Sequence, residues 1–236
     1  MNRAMYAAAS GMAAQQQNID VIANNLANAD VAGFKGAQLS FASLGERALL
    51  GTKATGVTHA FDQGKLMKTG GPFDVAIDGP GFFALERDGE RGFTRAGSFS
   101  RAADGALRNA DGWQLRGVRI PANAATVAVD PDGTVHVDGK AVAGRIQLVR
   151  FDAPEHLRAL GSALFAAGEA SGIPHAQAAG GERQPKIAFG MLERSNVSII
   201  EAMMQILAAQ RAYEANAKGV QAADEMLRIA NNLHRS

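Results

Sequence analysis

At 236 residues, with 47% apolar and 20% charged residues, the chain has material for one or two domains with a real core. A formal net charge of +1 gives no basic excess, which argues against a nucleic-acid binder and gives no pull toward an anionic membrane surface. Cysteine is absent, so disulfides and thiolate metal sites are excluded.

The first element is a helix predicted over about 2–29. Met5, Ala8, Met12, Gln15, Ile19, Ile22, Leu26 and Ala29 follow an unbroken 3-4 spacing, the stripe of a coiled-coil seam. That stripe is thin in mass, and alanine, the best helix former, buries little surface. Only Arg3, Asp20 and Asp30 are charged in the first thirty residues, and the flanks carry amides at Gln15, Gln16, Gln17, Asn18, Asn24, Asn25 and Asn28. A solvated helix normally carries Lys and Glu pairs instead. Small residues and amides point to close helix neighbours on several sides. The same amides interrupt what would have to be the apolar core of a secretory signal, so no cleaved signal is expected. No run approaches about 18 consecutive apolar residues, so no membrane-spanning helix is expected either.

A connection follows over 36–56. Phe41, Leu44, Leu49 and Leu50 give it apolar surface, which predicts docking rather than a free linker. From 57 to 190 the period changes. Asp-Gly recurs at Asp78-Gly79, Asp88-Gly89, Asp104-Gly105, Asp111-Gly112, Asp132-Gly133 and Asp138-Gly139, a strong hairpin signal because a type I′ turn needs positive φ at both central residues. Short strand-like runs lie between: Asp74–Ile77, Phe82–Leu85, Gly92–Thr94, Thr126–Val129, Val135–Val137 and Arg145–Arg150. Phe82, Phe83, Phe93, Phe99, Trp113 and Phe151 are the expected core anchors, and Gly168–Gly181 reads as a loop.

The final segment, 191–236, holds a second long helix. Ser198 and Glu201 have the spacing of a capping box. Ile199, Met203, Ile206, Gln210, Tyr213, Ala217, Val220, Asp224 and Leu227 repeat the 3-4 stripe to about Asn231. The fold class is therefore α+β: N- and C-terminal helices pairing as a coiled coil, with an all-β, hairpin-rich centre.

Nothing in the sequence specifies catalysis. Gly79-Pro80-Gly81 begins like a dinucleotide fingerprint, but Ala84 stands at the third glycine. The histidines at 59, 136, 156, 175 and 234 have no ligand spacing, and no Gly-x-Ser-x-Gly elbow exists. No enzyme activity, metal or cofactor is expected.

Ile22-Ala23-Asn24-Asn25-Leu26-Ala27-Asn28 with Gly33-Phe34-Lys35 resembles the N-terminal signature of bacterial flagellar rod and hook proteins. Glu193-Arg194-Ser195-Asn196-Val197 and Gln210-Arg211-Ala212-Tyr213-Glu214-Ala215-Asn216 resemble that family's C-terminal signature. Asp74-Val75-Ala76-Ile77 through Gly81-Phe82-Phe83, Phe93-Thr94-Arg95 and Gly97-Ser98-Phe99 are similar to its β domain, so the resemblance runs along the whole chain. It implies a structural subunit of the basal-body rod, with both terminal helices in the core of a helical tube and the β domain outside. The end signatures are most similar to the distal rod type, although the stretch from Phe41 to Asp74 is shorter than that pattern; a proximal subunit comes next, then an adaptor or binding module of the basal body. The implied partners are further copies, other rod and hook proteins, the flagellar type III export apparatus, which passes the chain unfolded, and the P-ring and L-ring bushing. The expected assembly surface comprises Met5, Met12, Ile19, Ile22, Asn24, Asn25, Leu26, Asn28 and Phe34 at one end. At the other it comprises Asn196, Val197, Met203, Ile206, Gln210, Tyr213, Asn216, Val220 and Leu227.

Overall fold

The computed structural model describes residues 3–43, 51–139, 141–161, 163–182 and 184–233. Two long helices and a β-rich centre make the class α+β. The chain divides into two compact units, one drawn from Met1–Ala27, Ala37–Thr58 and Val197–Ser236, the other from Asn28–Gly36 and His59–Asn196.

In the first unit, helix α1 spans Arg3–Ala27 and helix α2 spans Ile199–Leu233. Ser198 caps α2: the Glu201 N–H reaches its hydroxyl oxygen at 3.4 Å, and the Ala202 N–H donates to its carbonyl at 2.9 Å. The two helices pack together, and their register is fixed by small residues. A Cβ added at Gly11 would stand 2.9 Å from the Asn216 amide nitrogen, and one at Gly219 would touch Ala8 at 4.0 Å. Advancing along α1 moves backward along α2, so the pair is antiparallel. The connection forms strands Ala37–Ser43 and Thr52–His59, which pair with each other. Leu44, Leu49 and Leu50 lie outside the described residues.

In the second unit, twelve strands among the described residues share one sheet. Its main path runs Val127–Val129, Thr134–Val137, Ala141–Arg145, Gln114–Arg119, Phe82–Arg87, Glu90–Thr94, Leu164–Ala166, Arg158–Gly161, with antiparallel neighbours throughout. Two smaller antiparallel pairs stand apart: Val75–Asp78 with Lys186–Phe189, and Leu66–Lys68 with Met191–Glu193. Five of the six Asp-Gly pairs connect successive strands that pair with each other, whereas Asp78-Gly79 leaves a strand whose partner lies more than a hundred residues on. Only at Asp88-Gly89 and Asp138-Gly139 do both residues have positive φ. Asp104 and Asp132 instead accept the N–H two residues on, from Ala106 at 3.1 Å and Thr134 at 2.9 Å, closing the turn with the side chain.

All six expected anchors are buried. Phe83, Phe99 and Trp113 join the main core with Ile77, Leu85, Leu115 and Ile120, while Phe82, Phe93, Phe151 and Phe165 form a second cluster. Its rings meet edge to face, Phe93 on Phe151 at 4.9 Å and Phe61 on Phe82 at 5.1 Å.

Three expectations need correction. Arg145–Arg150 is not one strand: Arg145 ends one, Ile146 turns its N–H to the Gly133 carbonyl (2.9 Å), and Leu148 starts another against Phe83. The run has two neighbours and serves both. The Gly168–Gly181 loop contains strand His175–Gln177, held by Leu148–Arg150. Met191–Glu193, assigned to the same segment as the C-terminal helix, is also a strand, while α2 itself starts at Ile199, directly after the expected N-cap Ser198.

Candidate assembly surface and the polar cluster of the signature residues

The row that α2 turns inward differs from the row that side-chain size predicts. Ala202, Ala209 and Ala223 are buried, with Asn216 half-buried at the intervening place, so the inward row repeats every seven residues. On α1 the buried residues are Ala14, Ile22 and Asn25. The Asn216 amide leaves no room for a side chain at Gly11, and alanine occupies most of the inward row of α2. Met203, Gln210, Tyr213 and Leu227, expected in the seam, are exposed; Ile206, Asn216 and Val220 are half-buried. Ile200, Met203, Met204 and Leu207 follow within two turns and stand 74%, 52%, 60% and 56% exposed. Helix α2 is thus inverted, alanine inside and bulk outside.

On α1, Met5, Met12, Ile19 and Leu26 are half-buried, Ile22 is buried, and Asn24 is exposed. Asn25 is spoken for within its own unit. Its Nδ2 donates to the Ala37 carbonyl at 2.7 Å, and its Oδ1 accepts the Ala37 N–H at 2.8 Å, setting the start of the first strand. The Ser10 hydroxyl does the like for the second strand, accepting the Thr52 N–H at 3.1 Å. A groove of about 430 Å³ remains, with Gln15, Asn18, Gln38 and Gln205 among its lining residues.

The remaining signature residues belong to the second unit. Phe34 is buried; Asn28 and Asn196 are half-buried, as is Val197 at the start of the first unit's last segment. The Asn196 amide accepts the Gly36 N–H at 2.9 Å and donates to the Ala60 carbonyl at 2.7 Å. Beside it lies a cluster of three charged residues that no sequence spacing announced. Glu193 Oε1 lies 2.7 Å from Lys35 Nζ and accepts the Gly64 N–H at 2.8 Å, while its Oε2 accepts Arg95 Nε at 2.8 Å. The three side chains are 0–4% exposed. Lys35 Nζ also donates to the Asp62 carbonyl at 2.6 Å. The Arg95 guanidinium reaches the carbonyls of Gly79, Gly81 and Ile77 at 2.8, 2.7 and 3.2 Å. Each side-chain nitrogen of Lys35 and Arg95 thus has at least one acceptor, as a buried charge requires.

Burial pushes the Lys35 ammonium below its usual range, with Glu193 opposing the shift. His59 Nδ1 donates to the Lys35 carbonyl (3.3 Å), and the ring stands edge-on to Phe165; burial lowers its pKa too. Gly33 closes the cluster, donating its N–H to the Glu193 carbonyl at 2.7 Å. Its φ of +69° and its contact with the Ala96 backbone leave no space for a side chain. The signature fragments around Lys35, Arg95 and Glu193 therefore meet at one point. Among the described residues, no group of three or more His, Asp or Glu is placed to hold a metal ion, and no helix is long and apolar enough to cross a membrane.

An antiparallel helix pair with bulky apolar residues outward, made from both ends of a chain whose middle is β, defines a structural protein that offers contact area rather than a reaction centre. Residues 5–35 match the family described as flagella basal body rod protein, residues 76–137 the flagellar hook protein FlgE/F/G D1 domain, and residues 189–233 the flagellar basal body rod FlgEFG protein C-terminal region. The chain is 38% identical to the flagellar basal-body rod protein FlgG of Borreliella burgdorferi, covering 100% of both chains. It is 36% identical to that of Caulobacter vibrioides (98% of this chain, 99% of the relative) and 31% identical to the FlgF of the same organism (98% and 97%). The chain belongs to the flagellar basal-body rod protein family.

Proposed function

We propose that this chain is a structural subunit of the distal rod of the bacterial flagellar basal body. It polymerises through α1 and α2 into the helical shaft that transmits motor torque to the hook. The observation that carries the reading is the inverted α2, whose Ile200, Met203, Met204 and Leu207 are left to solvent in a single chain. Soluble monomers rarely expose a contiguous apolar patch of this kind without a partner for it. The distal assignment rests on full-length relatives named FlgG at 30–38% identity, and the proximal reading stays second on the FlgF relative.

In the assembled rod, α1 and α2 wind as a coiled coil within the core, with 1–35 and 191–236 supplying core contacts. The connection 36–56 links them to an outer β domain over 57–190. Partners are further copies, neighbouring rod and hook proteins, and the P-ring and L-ring bushing around the β domain. The chain leaves the cell through the flagellar type III export apparatus without a cleaved signal, and no catalytic step is involved.

Two variants test this. Ala217→Pro removes a helix hydrogen bond and strains the preceding turn by about 3 kcal/mol or more; Leu26→Asp puts a charge on a half-buried face of α1. Both abolish sedimentable polymer while the fluorescence of Trp113, buried in the β unit, keeps its native value. Normal polymer from both variants would overturn the assignment of assembly to the helices.

A further inference from the structure

The second unit contains a cleft of about 780 Å³ that the helices do not explain. It sits where the sheet forks. One edge of strand Phe82–Arg87 is taken by Glu90–Thr94. The other is shared, with Leu148 and Val149 pairing at Phe83 and Phe82, and Leu115 and Gln114 pairing at Leu85 and Glu86. The two strands that share that edge part, and the cleft opens between them.

Its rim is cationic. Arg91, Arg116 and Arg145 line it against a single carboxylate, Asp132. Arg145 is held by Asp132 at 3.5 Å and Arg116 by Glu86 at 3.2 Å, while Arg91 has no ion-pair partner among the described residues. Leu85, Phe93, Ile146 and Leu148 supply apolar walls. Gln177 lines it as well, and its Oε1 is buried with no donor. That oxygen is enclosed, with Gly81 packed against it, so it is not part of the cleft's open surface. At the lip, Pro174 follows Ile173, which is 71% exposed. A second cavity of about 350 Å³ shares Arg116, Gly117 and Gln147 with the first, so the surface continues past it.

These features specify a ligand. Guanidinium groups call for carboxylates, which they hold in bidentate fashion. The walls call for apolar side chains. Nucleic acid fits poorly, because the one aromatic in the lining, Phe93, is buried within its ring cluster rather than free to stack on a base. An extended peptide with alternating acidic and apolar residues supplies both groups, since successive side chains of a strand point to opposite faces. We propose that the forked-sheet cleft lined by Arg91, Arg116, Arg145 and Gln177 is a docking site for an acidic, extended segment of a partner protein. The site is independent of the helix-mediated assembly described above.

The test uses the full chain and a fluorescein-labelled hexapeptide of alternating glutamate and valine, read by anisotropy. Two controls replace glutamate by glutamine or use a single-stranded DNA hexamer. Saturable binding of the acidic peptide is expected, at least tenfold tighter than either control and weakening as salt is raised. Arg91→Glu, a partnerless exposed position, lowers the affinity at least tenfold. Absence of saturable binding overturns the proposal. Equal binding of either control does so as well, as does full affinity in Arg91→Glu with native fluorescence.

Discussion

Replacing Glu193 by glutamine removes one negative charge and almost no volume, yet it leaves Lys35 and Arg95 as two cations buried without a counter-charge. Glutamine keeps one carbonyl oxygen but turns an NH2 group toward Lys35 Nζ, Arg95 Nε or the Gly64 N–H, all of them donors. Removing one partner of a buried pair costs about 3–5 kcal/mol, a third or more of the stability of an ordinary domain. For a chain of this size each kcal/mol moves the melting temperature by about 2–4 °C, so a fall on the order of 10 °C is expected. The sole tryptophan, Trp113, is buried in the same unit and reports its unfolding separately from the helices, which circular dichroism follows.

Two further arms make the reasoning specific. Lys35→Met with Glu193→Gln removes the cation that glutamine cannot match, so the double variant should lose at least 1 kcal/mol less than the sum of the singles, by the usual coupling of touching residues. Burial already holds the Lys35 pKa below 10.5 in the folded chain. Between the folded value and 10.5 the unfolded chain binds more protons, so stability rises with pH, and without Glu193 that window starts lower. The Glu193→Gln deficit should therefore shrink as the buffer is made alkaline. A urea midpoint for Glu193→Gln equivalent to less than 1 kcal/mol from the parent, or strictly additive singles, would refute the cluster as a stabilising centre.

Other perturbations follow from the same geometry. Gly11→Leu should lower the helical signal at 222 nm and polymer yield, because the added side chain meets Asn216 at the closest approach of α1 and α2; Gly11→Ala should stay near neutral, its gain of about 1 kcal/mol in helix propensity set against a shift of the flexible amide. Asn25→Ala removes both bonds to Ala37, about 1 kcal/mol each, and limited proteolysis should then cut within 37–58 sooner than in the parent; an unchanged cleavage rate would refute that anchoring role. His59 has a folded pKa held below 6.5 by burial, so the unfolded chain takes up its proton first and stability falls as pH drops through 6.5 toward the lowered value. His59→Phe should flatten that part of the profile of Trp113 urea midpoints, and an unaltered slope would remove His59 from the account.

What the sequence revealed depended on whether the cause was local. An Asp-Gly turn carries its own reason, since the backbone conformation or the Asp carboxylate closes it within four residues, and five of the six joined adjacent strands. The six aromatic anchors were legible because a large ring in a short β run has little alternative to burial. Strand His175–Gln177 was hidden because its partner, Leu148–Arg150, lies some 25 residues away and its own residues carry no β signal. The cluster of Lys35, Arg95 and Glu193 was hidden for the same reason in stronger form. Each charge, taken alone, resembles a solvated surface residue, and only the meeting of three distant segments makes them a buried unit.

On α2 the periodicity held, and the expected stripe turns inward only in part: Ile206 and Val220 are half-buried, whereas Met203 and Gln210 are exposed. A 3-4 template ranks positions by side-chain bulk and so selects Met203, Tyr213 and Leu227. The fold selects by clearance: at Gly11 the Asn216 amide leaves no room for a Cβ, and the small Ala202, Ala209 and Ala223 take the inside. A buried alanine contributes about one methyl, roughly 0.8 kcal/mol. Three such residues cannot by themselves hold a helix of 35 residues, most of whose stability must come from tertiary packing. The missing stabilisation is on the other face, where Ile200, Met203, Met204 and Leu207 remain more than half exposed in a single chain. A helix with that distribution gains more from a neighbour than from its own partner, so its folding and its assembly draw on the same surface. Converting Met204 and Leu207 to serine should therefore leave the dilute monomer's circular dichroism nearly unchanged while raising the concentration needed for polymer at least tenfold. An equal loss in monomer and polymer would place these residues in the chain's own core instead.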